Sequence, residues 1–239
     1  MINAEKPENV LIIGGSSSIG LPIIKLFNSK KKNIIFSFNK NDNKKNIDSN
    51  IKSLKLNLED QKSINFFIGN VKKLFNKLDI IIFISGVLPG KKLSSYQSHE
   101  IEKVMKINFF SQACIFKNLL PLIYENTRVL MISSISAQKG SYDPIYAASK
   151  GAILSFVKSV LNQIPKGARV NAIAPSLIED TTMYMNMGSS IIENHKNQIQ
   201  SGQLLKIDDL AKIIVDLCES HWKHLNGSCI DINGGQYVR

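Results

Sequence analysis

The stretch IIGGSSSIGLPII, residues 12–24, decides the fold. Its glycines, Gly14, Gly15 and Gly20, flank a run of serines, and residues this small allow a backbone to approach a pyrophosphate closely. An apolar run precedes the stretch and an amphipathic run follows it, so the first turn of a helix would offer free N–H groups to an anion. Pro22 falls in that first turn, where its missing N–H does little harm. The stretch predicts a phosphate-binding loop between a strand and a helix, although a flexible Gly/Ser turn has the same composition.

Short apolar runs alternate with longer amphipathic stretches along the rest of the chain. The apolar runs are rich in Ile and Val, which is typical of strands buried on both faces of a parallel sheet. Predicted strands lie at 10–13, 34–38, 53–58, 80–84, 129–133, 170–174 and 228–232. Predicted helices lie at 19–28, 61–76, 100–124, 146–163 and 208–218. This alternation predicts one α/β domain over 1–239, with a doubly wound (Rossmann-type), mostly parallel seven-stranded sheet, helices on both faces and ligands beyond the strands' carboxyl ends.

Composition narrows the class of protein. The 239 residues are 44% hydrophobic and 21% charged, which is ordinary for a globular domain. Three cysteines without CxxC spacing predict neither a disulfide framework nor a zinc site. The amino-terminal segment does not resemble a signal peptide, and the longest apolar run, near 80–88, is too short to cross a bilayer. We therefore expect a cytoplasmic protein that binds no metal and no membrane.

The net charge of +11 raises the question of a nucleic-acid partner. The lysines are scattered in small groups through a chain that is also rich in Asn and Ile, and no nucleic-acid recognition motif accompanies them. A solvated basic surface is the preferred interpretation, and steeply salt-dependent binding to random duplex DNA would be needed to overturn it. Such a surface can still attract an anionic cofactor or an acidic carrier protein.

Tyr146 and Lys150, in YAASKGAILSF, are spaced for proton transfer. Residues four apart share one face of a helix, so the ammonium of Lys150 can lie close to the phenol of Tyr146. A nearby cation favours phenolate and is expected to lower the tyrosine pKa from its usual value of about 10. The spacing alone also fits a solvated surface pair, so neighbouring motifs decide between the two.

The tip of the second predicted strand bears on the choice of dinucleotide. An acidic residue there would bind a ribose 2′-hydroxyl, but the sequence has Asn39 and Lys40, with Asp42 further along. A cation at this tip favours a 2′-phosphate, and hence NADP over NAD. A lysine in a lysine-rich loop is the simpler alternative, so NAD stays possible.

With these motifs the sequence resembles the short-chain dehydrogenase/reductase family over essentially its whole length. Residues 13–20 are similar to the family's TGxxxGIG, residues 83–86 to its Asn-Asn-Ala-Gly, RVNAIAPS at 169–176 to RVNAIAPG, and DINGG at 231–235 to the last strand. The resemblance implies an enzyme that transfers a hydride between a nicotinamide and a carbonyl or secondary-alcohol substrate. Members that reduce 3-oxoacyl groups on a carrier protein are one version of such an enzyme, which implies a carrier-bound substrate, and reductases of sugar or polyketide-type ketones are another.

The resemblance also implies four catalytic residues. Tyr146 would exchange a proton with the substrate oxygen, and Lys150 would lower the tyrosine pKa and bind the nicotinamide ribose. Ser134 would orient the carbonyl, with Ser133 as the alternative, and Asn108 would hold a water that links Lys150 to solvent. Cofactor contacts are implied at Gly14, Ser16, Ser17, Ser18, Ile19, Gly20, Asn39, Lys40, Asn57, Leu58, Ser85, Gly86, Tyr146, Lys150, Pro175, Ile178 and Thr181.

Residues from about 176 to 203 match a region that forms a substrate lid in the family. Thr181, or its neighbour Thr182, would bind the nicotinamide carboxamide. This segment contains three methionines, Met183, Met185 and Met187. They form either an adaptable apolar surface for the substrate or a stripe that packs on the domain. The resemblance further implies a homo-oligomer, a dimer or tetramer formed through the helices near 100–124 and 146–163.

The sequence departs from the family pattern at the cofactor pocket. Ser18 replaces the middle glycine of the loop, which predicts a serine in backbone geometry that glycine usually fills. Phe83 and Ile84 replace two bracing asparagines, and Asn57 stands where an aspartate is usual. These departures motivate an alternative, a dinucleotide-binding regulatory or scaffold protein with weak or no turnover.

Overall fold

The computed structural model describes residues 7–41, 48 and 51–239, and Asp42 lies outside them. All seven predicted strands are present and pair in parallel in one sheet of order β3-β2-β1-β4-β5-β6-β7. The strands are β1 Asn9–Ile13, β2 Asn33–Phe38, β3 Lys52–Lys55, β4 Ile80–Phe83, β5 Arg128–Ile132, β6 Arg169–Pro175 and β7 Cys229–Ile232.

Helices cover both faces of this sheet. They are α1 Gly20–Ser29, α2 Gln61–Leu74, α3 Ser98–Met105, α4 Ser111–Leu119, α5 Ser136–Lys139, α6 Pro144–Ser159, α7 Thr182–Met185, α8 Ser189–Gln198 and α9 Ile207–Leu217. Short 3₁₀ turns lie at Leu93–Ser95, Leu120–Leu122, Val160–Gln163 and Ser220–Trp222. Of the helices in the described part of the chain, none is long and apolar enough to cross a membrane.

The apolar strands are buried on both faces because alternate side chains point to opposite sides of the sheet. In β1, Leu11 and Ile13 belong to the layer that contains α2, α4 and α6, whereas Val10 and Ile12 belong to the layer that contains α1 and α9. All five residues of β1 are buried. The predicted doubly wound α/β fold in one domain is therefore confirmed.

The order of the strands reverses at β1, which pairs with β2 on one side and β4 on the other. The connections that leave β1 and β4 run toward opposite edges of the sheet, so their carboxyl ends border a crevice. The glycine-rich loop follows β1 into this crevice, and residues 84–87 follow β4 into it. The fold thus brings the two motifs together.

The long helix predicted at 100–124 is interrupted. A π-helical turn, Lys106–Phe110, separates α3 from α4, and Asn108 at its centre is completely buried. Such turns interrupt the regular hydrogen-bond ladder and often occur at functional sites. Hydrophobic periodicity does not register one extra residue in a helix, so this break could not be predicted from the pattern of apolar residues. Helices α5, α7 and α8 were also missed, because they are short or mostly exposed.

Glycine at position 20 is required by close backbone packing. A Cβ atom on Gly20 would lie 2.3 Å from the carbonyl oxygen of Gly15, whereas one on Gly69 in α2 would meet no atom within 4 Å. We predict that Gly20→Ala lowers the free energy of unfolding by more than about 2 kcal/mol. The matched Gly69→Ala should raise it by about 0.5–1 kcal/mol, since alanine is the better helix former. Urea titrations of both variants test this, and equal midpoints would contradict it.

Candidate active site

The glycine-rich loop packs tightly against the neighbouring strands. Gly14 has a φ of +90°, and a Cβ atom there would lie 2.6 Å from Oγ of Ser85 at the end of β4. The Gly14 N–H donates to Oγ of Ser37 in β2 at 2.8 Å, and the Ser16 N–H donates to the Ser37 carbonyl at 3.3 Å. The loop is therefore held between the ends of two strands, with its outer side left to a ligand.

Ser18 occupies an ordinary backbone conformation. In the described part of the chain the non-glycine residues with positive φ are Lys31 and Asp180, so the expectation of glycine-like geometry at Ser18 is wrong. The turn is closed by Ser17, whose N–H donates to the Gly14 carbonyl at 3.1 Å and whose hydroxyl accepts from the Gly20 N–H at 3.1 Å. Ser17 performs the local capping, so a serine at 18 costs the loop no left-handed strain.

The start of α1 suits an anion. Ile19 occupies the N-cap position without a side-chain cap, and no acidic residue lies in the first turn. The expected free N–H groups are not found at this helix start, because Gly20 donates to Oγ of Ser17 and Leu21 donates to the Ser17 carbonyl at 3.1 Å. What the start of α1 offers an anion is the positive end of the helix dipole. Together with the two tight glycines, this cradle fits the pyrophosphate of a dinucleotide.

Gln112 replaces the lost asparagine brace at the end of β4. Its Nε2 donates to the Ser85 carbonyl at 2.9 Å and to the Ile107 carbonyl at 3.1 Å. Its Oε1 is buried without a hydrogen-bond partner among the described residues. Sequence analysis missed Gln112, although its position four residues after Asn108 was a usable signal. The strand end is thus held from a helix and not by its own side chains.

Asn108 ties the π-helical turn to two neighbours. Its Oδ1 accepts from the Val87 N–H at 2.8 Å, and its Nδ2 donates to the Val87 carbonyl at 3.0 Å and to Oγ of Ser149 at 2.9 Å. The side chain therefore fixes the residue after Gly86 against helix α6. A Cβ atom on Gly86 would lie 3.2 Å from Nζ of Lys150, so glycine leaves that surface open.

Lys150 is a buried cation, with 2% of its surface exposed. Its Nζ donates to the Ile132 carbonyl at 2.7 Å, at the carboxyl end of β5, and lies 6.0 Å from the ring centre of Tyr146. Burial lowers the pKa of Lys150 to about 8. The spacing prediction that these two side chains share one helix face is confirmed.

The phenol of Tyr146 is buried and hydrogen-bonded to the side chain of Ser134. Burial raises the pKa of Tyr146, the Ser134 bond lowers it by less, and the charge of Asp143 raises it further. The expectation that Lys150 holds this pKa below its usual value is therefore wrong for this structure. Desolvation is the largest cause of the raised pKa, and the Lys150 ammonium is engaged by the Ile132 carbonyl.

The geometry distinguishes the two candidate serines. Ser133 Oγ donates to the Lys150 carbonyl at 2.8 Å, which fastens β5 to α6. Ser134 bonds Tyr146, and its Oγ accepts from the Ser136 N–H at 3.1 Å. Of this pair, Ser134 is the serine that shares the crevice with the tyrosine hydroxyl.

The strand ends on the other side of the crevice hold the remaining predicted contacts. Asn39 and Lys40 follow β2 and are exposed. Asn57 Oδ1 accepts from the Glu59 N–H at 3.0 Å, so its amide caps a turn, and the Leu58 carbonyl accepts from Ser111. The Asn57 side chain is therefore committed to its own loop.

The segment after β6 begins at Pro175 and folds back on the domain. Ile178 pairs with Leu205 in an isolated bridge. The Thr181 hydroxyl donates to the Ile178 carbonyl at 3.0 Å and accepts from the Tyr184 N–H at 3.2 Å, which caps α7. Thr181 therefore serves the local fold, and the neighbouring Thr182 is exposed.

The methionines of this segment divide between the two roles left open by the sequence. Met187 packs with Leu177, Ile199 and Leu204, whereas Met185 is 70% exposed. One methionine therefore anchors the segment, and another presents an apolar side chain to solvent.

Known proteins are similar to this chain in sequence and in fold. A family profile described as Enoyl-(Acyl carrier protein) reductase, one of the short-chain dehydrogenase/reductase profiles, matches residues 14–236. The 3-oxoacyl-[acyl-carrier-protein] reductase of Aquifex aeolicus is 24% identical over 239 residues, which cover 95% of this chain and 96% of the relative. The fold and its crevice define a Rossmann-type dinucleotide-binding class. Within that class, the chain belongs to the short-chain dehydrogenase/reductase family of oxidoreductases.

Solved structures agree on the fold. A short-chain dehydrogenase/reductase from Brucella melitensis superposes with a TM-score of 0.88 at 21% identity, covering 97% of both chains. A 3-ketoacyl-(acyl-carrier-protein) reductase from the same organism, complexed with NADH, gives a TM-score of 0.86 at 20% identity, covering 97% of this chain and 98% of the other.

The burial of Lys150 predicts a cost in stability. The folded pKa of about 8 lies below the unfolded value of about 10.4, so the penalty is complete below pH 8 and fades as the pH rises toward 10. We predict that Lys150→Met raises the free energy of unfolding by about 1–3 kcal/mol at neutral pH, with the gain shrinking as the pH rises. Lys158→Met, on an exposed position of the same helix, should change stability little at any pH. A gain that is the same at pH 7 and pH 10 would contradict this origin.

Proposed function

We propose that the chain is an NADP-dependent carbonyl reductase, which transfers a hydride between a nicotinamide and a carbonyl or secondary-alcohol substrate with Tyr146 as the general acid/base. The observation that carries the proposal is the buried hydrogen-bonded pair of Ser134 and Tyr146, with Lys150 beside it. Chance spacing does not bring a hydroxyl, a phenol and a buried ammonium to one strand end next to a phosphate cradle.

The proposed reaction divides its work between cofactor and protein. The bound nicotinamide supplies the hydride for the carbonyl carbon. Tyr146 donates its hydroxyl proton to the carbonyl oxygen, and Ser134 donates a hydrogen bond to the same oxygen, where negative charge develops. A raised pKa keeps Tyr146 protonated at neutral pH, which suits an acid in the direction of reduction.

Two further residues support the proton transfer. The Lys150 ammonium supplies positive potential next to the phenolate that forms, and binds the nicotinamide ribose in the family's manner. Asn108 fixes Val87 and Ser149 beside Lys150, and the water relay implied by the family resemblance would run from this ammonium past Asn108 to solvent.

A carrier-bound acyl substrate is the class that the site favours. The relatives named above are 3-oxoacyl and 3-ketoacyl reductases of an acyl carrier protein. Around the loop that leads to Tyr146, the apolar side chains of Leu93 and Tyr142 are exposed, and Lys92 lies 5.9 Å from the Tyr142 ring centre. An apolar rim with a cation beside it suits an acyl chain delivered by an acidic protein in the cytoplasm. Residues 176–203 would cover it as a lid, in a homo-oligomer.

Replacing the proposed acid tests the mechanism directly. We predict that Tyr146→Phe lowers kcat by about 10²–10⁴-fold, because the carbonyl oxygen loses its proton donor, while NADPH binding is retained. Tyr237→Phe, which makes the same change at a partly exposed tyrosine outside the proposed site, should keep wild-type turnover. The measurement is NADPH oxidation with a panel of ketones and 3-oxoacyl thioesters, after titration of NADPH by nicotinamide fluorescence.

The outcomes separate the proposal from its alternative. Full turnover in Tyr146→Phe would refute the assigned acid. Tight nucleotide binding without turnover of any carbonyl would instead favour a dinucleotide-binding regulatory or scaffold protein. Failure of both nucleotides to bind below millimolar concentrations would refute the enzyme.

The choice of NADP rests on Lys40, which follows Asn39 after the carboxyl end of β2. The same strand carries Ser37, which binds the glycine-rich loop through the Gly14 N–H. We predict that Lys40→Glu weakens NADPH binding about tenfold, the loss of one charge-assisted hydrogen bond, and leaves NADH binding unchanged. Lys166→Glu makes the same change in net charge at an exposed turn before the amino end of β6. An equal effect of both variants in fluorescence titrations would indicate general attraction by the basic surface instead.

A further inference from the structure

Asp143 is a buried carboxylate at the start of the helix that carries Tyr146 and Lys150. Its side chain is 1% exposed, and its Oδ1 accepts from the Tyr146 N–H at 2.9 Å, which caps α6. Pro144 follows in the first helical turn. The sequence reasoning left Asp143 unassigned, although an aspartate directly before a proline that opens a helix is a recognised N-cap signal.

The same carboxylate also holds the loop that leaves β4. Asp143 Oδ2 accepts from the N–H groups of Gly90 at 3.0 Å and Lys91 at 3.3 Å. The Tyr96 hydroxyl donates to it at 2.8 Å. Residues 86–96 are thereby tied to the first turn of α6, between the strand end that borders the crevice and the phenol of Tyr146.

The donor set identifies the ionic form of this group. Each of these contacts reaches Asp143 from an N–H or O–H donor, and an ionised carboxylate is the form that only accepts. A neutral residue with one acceptor oxygen could still cap α6, but it would lose some of the hydrogen bonds from Gly90, Lys91 and Tyr96. The helix cap therefore needs one acceptor oxygen, whereas the contacts with Gly90 and Lys91 need the second oxygen of the carboxylate.

The charge of Asp143 also reaches Tyr146. It raises the pKa of the phenol, in the same direction as burial and against the Ser134 hydrogen bond. The other charged group that faces the ring is the Lys150 ammonium, 6.0 Å from its centre. Lys91, whose N–H binds Asp143, has its own ammonium paired with Glu100. Asp143 is thus the acidic group that favours the neutral phenol.

We propose that Asp143 is a positioning residue for the reaction proposed above: its carboxylate fixes residues 86–96 against the first turn of α6, the helix that carries Tyr146. Its negative charge also favours the neutral form of the Tyr146 phenol, in addition to the larger effect of burial. A catalytic role for Asp143 rests on the proposed function. Its effects on the loop and on the Tyr146 phenol, however, are properties of the free protein. They can therefore be measured without cofactor or substrate.

The decisive variant is Asp143→Asn. Asparagine caps helices about as well as aspartate, so the Tyr146 N–H keeps its acceptor while the charge and the second acceptor oxygen are removed. With ¹³Cζ-labelled tyrosine, NMR follows each phenol, and the Tyr146 signal is the one missing from Tyr146→Phe. We expect the Tyr146 pKa to fall by about one unit, the size of effect that a nearby charge exerts. We also expect amide exchange at Gly90 and Lys91 to accelerate about tenfold or more.

Tyr96→Phe is the matched control, because it removes a neutral donor and leaves the charge in place. Its Tyr146 signal should not titrate at lower pH, and its Gly90 and Lys91 amides should stay protected. Asp143→Ser provides a second neutral cap if the asparagine variant fails to fold. An unchanged Tyr146 titration, or unchanged exchange at Gly90 and Lys91, in the folded neutral variant would overturn the proposal.

Steady-state kinetics then distinguish a failure of the Asp143 proposal from a failure of the proposed function. With turnover, the alkaline limb of the reduction rate should move to lower pH in Asp143→Asn, since the acid form of Tyr146 is lost earlier as the pH rises. Without turnover in the wild-type protein, the proposed function fails, while the NMR titration still decides whether Asp143 governs the phenol and the loop.

Discussion

The parallel pairing of β1 with both β2 and β4 is the constraint on which the rest of the structure depends. It places three carboxyl ends side by side, so that Gly14 contacts Ser85 on one side and Ser37 on the other. A side chain at position 14 would collide with Ser85, which is why glycine stands there. The small hydroxyl of Ser37 fits beside it and accepts its N–H. The crevice is a consequence of the strand order, which reverses at β1, and the residues at the strand ends line it.

The buried ionisable groups at the carboxyl end of β5 include Lys150, whose burial as a cation lowers the stability of the fold. Lys150 is a buried charge that is stabilised by a backbone carbonyl, and Tyr146 is a phenol whose burial disfavours its anion. Asp143 adds a negative charge to the same helix start. Such arrangements lower stability and persist in proteins where a reaction needs them. Burial has the largest effect on the pKa of this phenol and raises it, Ser134 lowers it, and Asp143 raises it further.

The sequence predicted well wherever periodicity or motif spacing carried the information. Seven strands, the glycine loop and the one-face placement of Tyr146 and Lys150 follow from such local patterns. The π-helical turn at Asn108 could not be predicted. The spacing of Gln112 from Asn108 indicated only a shared helix face, since the carbonyls that its amide binds are set by the fold. The sign of the Tyr146 pKa shift failed for a related reason: spacing identifies a neighbouring cation, but only the folded chain fixes how much water is excluded.

The Gln112 brace has a consequence for recognising distant relatives. Phe83 and Ile84 carry no amide, and the amide that holds this strand end belongs to Gln112 in α4, which donates to the Ser85 carbonyl. A search that scores the strand-end motif by its letters counts mismatches here, although the strand end still receives a hydrogen bond from a side-chain amide. Homology in such a family is better measured on the bonds that a motif makes than on the residues that spell it.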